Sequence, residues 1–208
     1  LLRIEDHDRG RCRPEYEEAL LEDLDWLGLA PDIGATEEFR RRPHAQRQSD
    51  QPVRYAAQLV RLERAGVVYP CDCSRADIAR TAEANSDADG SEIRYPGTCR
   101  ERGIDPTSVT ARRVRMDGER SEHFTDLRLG EQSQDPAAQC GDLLVRDRNG
   151  HWTYQFAVVV DDLEQGVDVV IRGEDLLAST GRQLRLARLL GRETMPLFLH
   201  HPLVRHPD

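Results

Sequence analysis

Three cysteines and a nearby tyrosine are the residues whose types and spacing best fit a metal site. Cys71 and Cys73 form a Cys-x-Cys pair, and Cys99 follows a Pro-Gly turn beyond a connecting loop. Zinc favours thiolates in a four-coordinate tetrahedral site, although small buried core residues would explain the cysteines equally well. No histidine lies between Cys71 and Cys99. The fourth ligand is open among Tyr95, Asp72, Glu101 and water.

A second group of polar side chains follows two apolar runs. The runs 156–160 and 167–171 are short and rich in β-branched residues, which predicts two buried strands. Asp161 and Asp162 follow the first run, and Arg172 follows the second. Ligands of open parallel sheets bind beyond the carboxyl ends of the strands. The two runs therefore predict the floor and rim of a polar site.

Arg172 and Glu5 each have a binding and a structural interpretation. An arginine at a strand end can hold a carboxylate or phosphate through two parallel hydrogen bonds. An internal salt bridge would serve equally, with Glu174, Asp175 or Asp162 as the partner. Glu5, after an apolar strand end, could hold an ammonium group or cap the helix that follows. The residues alone favour the structural interpretation of Glu5.

The elements that would position these groups follow from apolar spacing and from Pro and Gly signals. We expect one helix from Pro14 to Gly28, a second from Pro52 to Gly66 and a third over 179–190. Their predicted buried residues are Leu20, Leu24 and Leu27, then Val53, Ala56, Ala57 and Val60, then Leu184, Ala187 and Leu190. Further strands are expected at 67–70, 111–116, 124–127, 142–146 and 152–160. The segment 81–91 has the composition of a disordered loop.

This element order predicts an α/β fold in which an inserted module interrupts a sheet. The expected organisation is a first catalytic-domain part at 1–67, an inserted α+β module at 68–141 and a second catalytic-domain part at 142–208. A protein of 208 residues is long enough to bury a core of this kind.

Composition excludes several classes of protein. The net charge of −9 argues against indiscriminate binding to nucleic acid, and the run Arg40, Arg41 and Arg42 favours a solvated surface over a phosphate contact. All 29 basic residues are arginines, so lysine chemistry is excluded within this chain. Five cysteines without framework spacing, and no signal or membrane-spanning segment, favour a cytoplasmic protein without a membrane partner. We expect a monomer, since no large apolar stripe is left over.

Several long motifs, in the same order along the chain, resemble the catalytic domain of glutamyl-tRNA synthetases. They are LLRIEDHDR, RPEYEEALLEDLDWLGL, YPCDCSR, YPGTCR, YQFAVVVDD, QGVDVVIRGEDLL and HHPLVRHPD. The resemblance implies the Rossmann-type parallel sheet of class I aminoacyl-tRNA synthetases, with an inserted zinc-binding module. It also implies ATP, with Mg²⁺, as a substrate.

Within this family the chain is most similar to the glutamyl-Q tRNA(Asp) synthetases. These activate L-glutamate with ATP and transfer it to the queuosine base of tRNA(Asp). Their pattern implies one structural zinc ion held by Cys71, Cys73, Tyr95 and Cys99. Glutamyl-tRNA synthetases that bind zinc use Cys-x-His at the second half of the site, and this chain has Glu101 where that histidine would stand.

The resemblance also assigns the glutamate pocket. Glu5 would bind the α-ammonium group, Arg172 a carboxylate, and Tyr154 would hydrogen-bond in the same pocket, with no protein nucleophile. The aspartates at 161–162 are then left with structural roles. The two ATP-binding signature loops of the family are expected outside 1–208, so residues 1–208 alone are expected to be inactive. Two alternatives remain: a glutamyl-tRNA synthetase charging tRNA(Glu), and a non-catalytic zinc- or RNA-binding module.

Overall fold

The structure, a computed structural model, describes residues 1–41, 43–83, 93–117 and 121–204. Its helices are α1 (Pro14–Trp26), α2 (Thr36–Arg40), α3 (Pro52–Arg64), α4 (Arg75–Glu83), α5 (Pro136–Gln139), α6 (Tyr154–Glu164) and α7 (Thr180–Leu189). Its strands are β1 (Val68–Cys71), β2 (Ala111–Val114), β3 (Glu122–Asp126), β4 (Gly130–Gln134), β5 (Leu143–Arg146), β6 (Val169–Gly173) and β7 (Leu197–His201). Most of the segment expected to be disordered, 84–91, lies outside the described residues.

Two sheets organise these elements. The first is antiparallel and has the strand order β1-β2-β5. The second has the order β4-β3-β7-β6, in which β7 runs parallel to both β3 and β6 while β4 is antiparallel to β3. The fold is therefore α/β with mixed sheets, and its parallel part is the portion built by β3, β7 and β6.

The two sheets draw strands from both sides of the expected boundary at 141/142. Strands β3 and β4 precede the boundary yet share a sheet with β6 and β7, whereas β5 follows it and pairs with β2. A core cluster joins the antiparallel sheet to helices α3, α6 and α7, and includes Val114, Val145, Phe156 and Leu186. The division into 1–67, 68–141 and 142–208 stays a prediction.

The apolar run 156–160 is a helix, so the prediction of a strand there is wrong. It forms the middle of α6, where Phe156, Ala157, Val158, Val159 and Val160 are all buried. A helix surrounded by protein loses its polar face, and a short apolar run then has no periodicity that separates helix from strand. Packing against α3 and α7 outweighs the β preference of the valines.

The second apolar run contributes to a strand as predicted, but the prediction that this strand is buried is wrong, since Val169 is 42% and Ile171 is 66% exposed. Strand β6 spans Val169–Gly173 and lies parallel to β7, with Arg172 paired in register with His200. The neighbouring helix α7 and the residue after it bury the three side chains expected of this helix, Leu184, Ala187 and Leu190. The secondary structure around Arg172 is therefore predicted correctly, whereas the burial of β6 is not.

The helices α1 and α3 form near the predicted bounds but bury other faces. In α1 the buried residue is Leu21, whereas Leu20 and Leu27 are exposed. In α3 the buried stripe is Tyr55, Leu59 and Leu62, and Val53 is 79% exposed. The spacing of 55, 59 and 62 is itself helical, and these larger side chains bury more apolar area than Val53, Ala56 and Ala57 would.

No helix within the described ranges has both the length and the apolar character needed to span a membrane.

Candidate functional site

Arg172 lies at the carboxyl edge of the parallel part of the mixed sheet. It stands near the end of β6, beside His200 on β7, and His200 in turn contacts Asp126 at the end of β3. Three neighbouring strands thus bring polar side chains to one edge, where ligands of such sheets bind. The placement of Arg172 at a polar strand end agrees with the sequence prediction.

Neutral partners hold the Arg172 guanidinium. Its Nε donates to His200 Nε2 at 3.0 Å, and its terminal nitrogens donate to Gln183 Oε1 at 2.7 Å and Thr180 Oγ1 at 2.8 Å. Thr180 and Gln183 belong to the first turn of α7, which packs over this edge.

The internal salt bridge considered for Arg172 does not form. Within the part of the chain that the structure describes, two of the three carboxylates considered as partners of Arg172 pair with other arginines. Asp162 pairs with Arg3, and Glu174 pairs with Arg128. Burial lowers the pKa of Arg172, and Tyr154 and the more distant carboxylates offset this only in part. Arg172 stays protonated at neutral pH, so its positive charge is available to an anionic ligand.

Tyr154 is the first residue of α6 and shares the environment of Arg172. Burial raises the pKa of the Tyr154 hydroxyl, and the carboxylate of Glu5 raises it further, while Arg172 at close range acts in the opposite direction. The His7 ring lies 6.0 Å from the Tyr154 ring. Tyr154 is therefore close enough to both Glu5 and Arg172 to interact electrostatically with each of them.

Glu5 is held by Arg3, a residue that the sequence did not single out. Arg3 donates to Glu5 Oε1 from Nε at 3.0 Å and from a terminal nitrogen at 2.7 Å. Its other terminal nitrogen reaches Asp162 Oδ1 at 2.8 Å and Gln165 Oε1 at 2.8 Å. Helix α1 begins at Pro14 without a side-chain cap, so the capping role considered for Glu5 is wrong.

Asp161 and Asp162 take structural roles, as expected. Asp161 is fully buried and accepts hydrogen bonds from three side chains, while Asp162 pairs with Arg3. The donors to Asp161 are Gln48, Arg54 and Tyr55.

The three cysteines converge into one cluster that could hold a metal ion. The sulfur atoms of Cys71, Cys73 and Cys99 all lie within 4.8 Å of one another. The Tyr95 hydroxyl lies 3.4 Å from Cys71 Sγ and 3.8 Å from Cys73 Sγ, and it accepts a hydrogen bond of 3.0 Å from the Cys99 amide. Three thiols and a phenol around one point make a donor set of the kind that a borderline-soft ion prefers.

Arginines surround this cluster. Arg113 donates from Nε to Cys71 Sγ at 3.4 Å, and its guanidinium lies 3.8 Å above the centre of the Tyr95 ring. Arg102 contacts Cys99 Sγ at 3.7 Å and Asp72 at 2.6 Å. Positive charge beside thiols stabilises the thiolate form that binds metals.

The thiols of the cluster differ in acidity. Burial and the neighbouring Cys99 raise the pKa of Cys73 to about 12. Burial also acts to raise the pKa of Cys99, but its hydrogen bonds, above all the one with Tyr95, outweigh burial and the pKa is lowered. The pKa values of Cys73 and Cys99 are thus shifted in opposite directions.

The other candidate fourth ligands have partners of their own. Asp72 lies 3.3 Å from Cys99 Sγ and pairs with Arg102, and Glu101 pairs with Arg115 at 3.2 Å. Glu101 is largely exposed, whereas Tyr95 is buried among the thiols. The geometry favours Tyr95 as the fourth donor.

The arginine run that the sequence assigned to a solvated surface behaves as an ion-paired surface where it is described. Arg40 pairs with Glu18 at 2.8 Å and Asp25 at 3.0 Å, and the exposed Arg41 approaches Glu37 at 3.7 Å. Arg42 lies outside the described residues.

Sequence reasoning missed Asp126, His200, Arg3 and Arg113 as members of these sites. His200 is the first residue of the motif HHPLVRHPD, and the motif by itself assigns no role to it. A strand-end aspartate such as Asp126 carries no distinguishing local pattern, because the contact that defines it is made 74 residues away.

Comparison with known proteins agrees with this architecture. Residues 1–208 match the family described as tRNA synthetases class I (E and Q), catalytic domain. A glutamyl-Q tRNA(Asp) synthetase of Geobacter sulfurreducens is 46% identical over 208 residues, covering 100% of this chain and 62% of that protein. A protein of the same name from Symbiobacterium thermophilum is 42% identical over 221 residues, covering 100% of this chain and 65% of the relative.

Two solved structures are similar throughout the chain. A glutamate tRNA ligase from Elizabethkingia meningosepticum, in complex with its amino acid, superposes with a TM-score of 0.79 at 25% identity, covering 100% of this chain and 43% of the other. The glutamate-tRNA synthetase of Elizabethkingia anophelis gives a TM-score of 0.79 at 26% identity, with 100% and 44% coverage. The chain thus spans less than two thirds of the length of the Geobacter and Symbiobacterium relatives and under half of these synthetases.

Proposed function

Because the chain belongs to the catalytic-domain family of the class I tRNA synthetases for glutamate and glutamine, we propose that the whole protein is a ligase that glutamylates the queuosine base of tRNA(Asp). L-glutamate would first be activated with ATP. The observation that carries the proposal is 46% identity, over all 208 residues, to a relative named glutamyl-Q tRNA(Asp) synthetase. Since the chain spans 62% of that relative, the activity is proposed for the whole protein.

The charges of the candidate site suit an amino acid with an acidic side chain. Glu5 offers a carboxylate to the α-ammonium group, Arg172 a guanidinium to a carboxylate, and Tyr154 a hydroxyl between them. The partners that hold Arg172 are neutral, so a ligand carboxylate would not have to displace a protein carboxylate. Guanidinium–carboxylate pairs supply both energy and geometric specificity.

The proposed chemistry needs positioning and charge stabilisation rather than a protein nucleophile. The α-carboxylate of glutamate attacks the α-phosphate of ATP, giving glutamyl-adenylate and pyrophosphate. A hydroxyl of the queuosine ring then attacks the activated carbonyl, and AMP leaves. Holding the reacting groups together can account for a large part of the acceleration in such transfers.

A structural zinc ion is part of the proposal. Cys71, Cys73, Tyr95 and Cys99 would hold it, and the convergence of the three thiols and the phenol supports this set. The ion would stabilise the loop arrangement around β1, because the binding energy of a structural zinc contributes directly to folding. Cys71 ends β1 of the antiparallel sheet, whereas Arg172 lies on β6 of the mixed sheet, so no reaction step is assigned to the ion.

The test of the function is glutamate-dependent exchange of pyrophosphate into ATP by the full-length protein without tRNA. We expect exchange under these conditions, followed by transfer of labelled glutamate to tRNA(Asp) that carries queuosine and not to tRNA(Asp) that lacks it. Exchange that requires tRNA(Glu) would instead support a glutamyl-tRNA synthetase, to which the two solved structures are similar. No exchange under either condition would support the non-catalytic alternative.

Metal analysis tests the zinc site. We expect about one zinc ion per chain in the purified full-length protein and its loss in the Cys71→Ala variant. The exposed Cys12 lies outside the cluster, so Cys12→Ala is the matched control and should retain the metal. A wild-type protein without zinc would remove this part of the proposal.

We also propose that the whole protein is a monomer and that it is located in the cytoplasm.

A further inference from the structure

A series of hydrogen-bonded, buried side chains lies behind Arg172. His200 is fully buried, with Nδ1 2.6 Å from Asp126 Oδ2 and Nε2 3.0 Å from Arg172 Nε. Asp126 is 1% exposed. The three residues come from the ends of three adjacent strands, β3, β7 and β6.

Asp126 is fixed as an ionised acceptor. Its Oδ1 accepts from the backbone amides of Arg128 at 3.0 Å and Leu129 at 2.9 Å, and its Oδ2 accepts from the His200 amide at 3.1 Å. Burial would raise the pKa of Asp126, but the hydrogen bonds from His200 and these amides outweigh it and lower the pKa. An ionised carboxylate can only accept hydrogen bonds.

This acceptor decides which nitrogen of His200 carries the proton. The contact with Asp126 requires the proton on Nδ1, which leaves the lone pair of a neutral imidazole on Nε2. That lone pair accepts from Arg172 Nε–H. His200 therefore orients the guanidinium without giving it a neighbouring negative charge, unlike a direct carboxylate partner.

We infer that His200, oriented by Asp126, is a positioning residue that holds the Arg172 guanidinium ready for a ligand carboxylate. The inference rests on the proposed function, in which that ligand is glutamate. Gln183 and Thr180 hold the two terminal nitrogens from the side of α7, and His200 fixes the third position from the sheet. With all three contacts made, the plane of the guanidinium has one orientation.

Two substitutions separate positioning from packing. His200→Asn keeps an amide N–H near the Nδ1 position for Asp126 but loses the acceptor that faces Arg172. His200→Gln extends an amide oxygen to the Nε2 position and keeps that acceptor. His201→Asn, at the exposed neighbour on the same strand, is the matched control.

The experiment measures glutamate-dependent pyrophosphate exchange by the full-length protein and its variants. We expect His200→Asn to raise the KM for glutamate about 10-fold or more, with the KM for ATP changed by less than about threefold. His200→Gln should recover most of the loss, and His201→Asn should match wild type. Asp126→Asn should resemble His200→Asn, because an amide facing Nδ1 shifts the imidazole proton to Nε2, against the Arg172 donor.

Two results would overturn the inference. One is a folded His200→Asn variant with the wild-type KM for glutamate. The other is an equal loss in the Asn and Gln variants that affects kcat and both KM values together and follows a drop in Tm, as a packing role would give. If wild type shows no exchange at all, the proposed function fails instead, and calorimetric titration of the same variants with glutamate then tests the positioning role directly.

Discussion

Asp142 is a buried carboxylate whose charge is matched by specific donors. Arg100 contacts both of its oxygens, the Tyr69 hydroxyl donates to one, and the Met116 amide donates to the other at 3.0 Å. Burial would raise the pKa of Asp142, but the bonds from Arg100, Tyr69 and Met116 outweigh it, so the pKa is lowered. A group whose pKa is lowered by folding adds stability above its unfolded pKa and loses it as pH falls through the folded value.

We therefore expect Asp142→Asn to lower the free energy of unfolding by about 3 kcal/mol at pH 7, because it leaves Arg100 without its main counter-charge. The difference from wild type should begin to shrink as pH falls below about 4, where the carboxyl of the unfolded chain binds a proton, and should be lost as pH falls through the lower pKa of the native carboxyl. Urea denaturation across pH measures this. Asp117→Asn is the control, since Asp117 contacts the same arginine at 3.2 Å but is 54% exposed, and it should cost under about 1 kcal/mol. A constant difference across pH would contradict the assignment.

At the scale of elements, the cluster of thiols depends on a close approach between two segments. Tyr95 donates from its amide to the Cys140 carbonyl at 2.9 Å, and Gly141 forms a bridge with Tyr95. A Cβ at Gly141 would lie 1.9 Å from the Tyr95 carbonyl oxygen, and Gly141 has a φ of +65°. Only glycine allows both the contact and the backbone conformation, so the placement of the phenol depends on this residue.

Gly141→Ala is expected to displace Tyr95 and weaken metal binding, by about 10-fold or more if Tyr95 is a ligand. A chelator competition with purified protein measures the affinity. Gly103→Ala separates the two effects of the substitution, since Gly103 has a φ of +62° but a Cβ there would meet nothing within 4 Å. The control should lose about 1 kcal/mol of stability and keep the wild-type affinity. Equal affinities in the two variants would count against Tyr95 as a ligand.

At the scale of the whole molecule, Asp161 joins segments that are distant in the sequence. It lies on α6 and accepts from Gln48 Nε2 at 2.9 Å, Arg54 at 2.8 Å and the Tyr55 hydroxyl at 2.9 Å, from residues 106 to 113 positions away. Gln48 Oε1 in turn contacts His7 Nδ1 at 2.9 Å. One buried carboxylate thus links α6, α3 and the N-terminal segment that carries Glu5.

Replacing Asp161 should therefore destabilise the entire fold rather than one loop. We expect Asp161→Ala to lower the free energy of unfolding by about 3–5 kcal/mol, because it leaves buried donors and the Arg54 charge unpaired. Glu164→Gln, at an exposed position of the same helix, should change it by less than about 0.5 kcal/mol. Thermal unfolding, monitored by circular dichroism, compares the two variants. A wild-type Tm in the Asp161→Ala variant would contradict the role of Asp161 in linking these segments.

The sequence by itself determined the features that depend on local chemistry. Pro14 and Pro52 mark the starts of α1 and α3, and the run before Arg172 forms β6 as predicted. The Cys-x-Cys pair and Cys99 converge as their types implied. These predictions hold because proline and glycine signals act on the residues next to them, and because Cys-x-Cys spacing already places two thiols side by side.

Only the tertiary structure decided the rest. The run 156–160 could not be separated from a strand, because a helix buried on all sides has no polar face to show its period. The buried faces of α1 and α3 depended on which neighbours they met. Asp126, His200 and Arg172 meet across strands that are 28 to 74 residues apart, and hydrogen bonds of that separation leave no pattern in a single sequence.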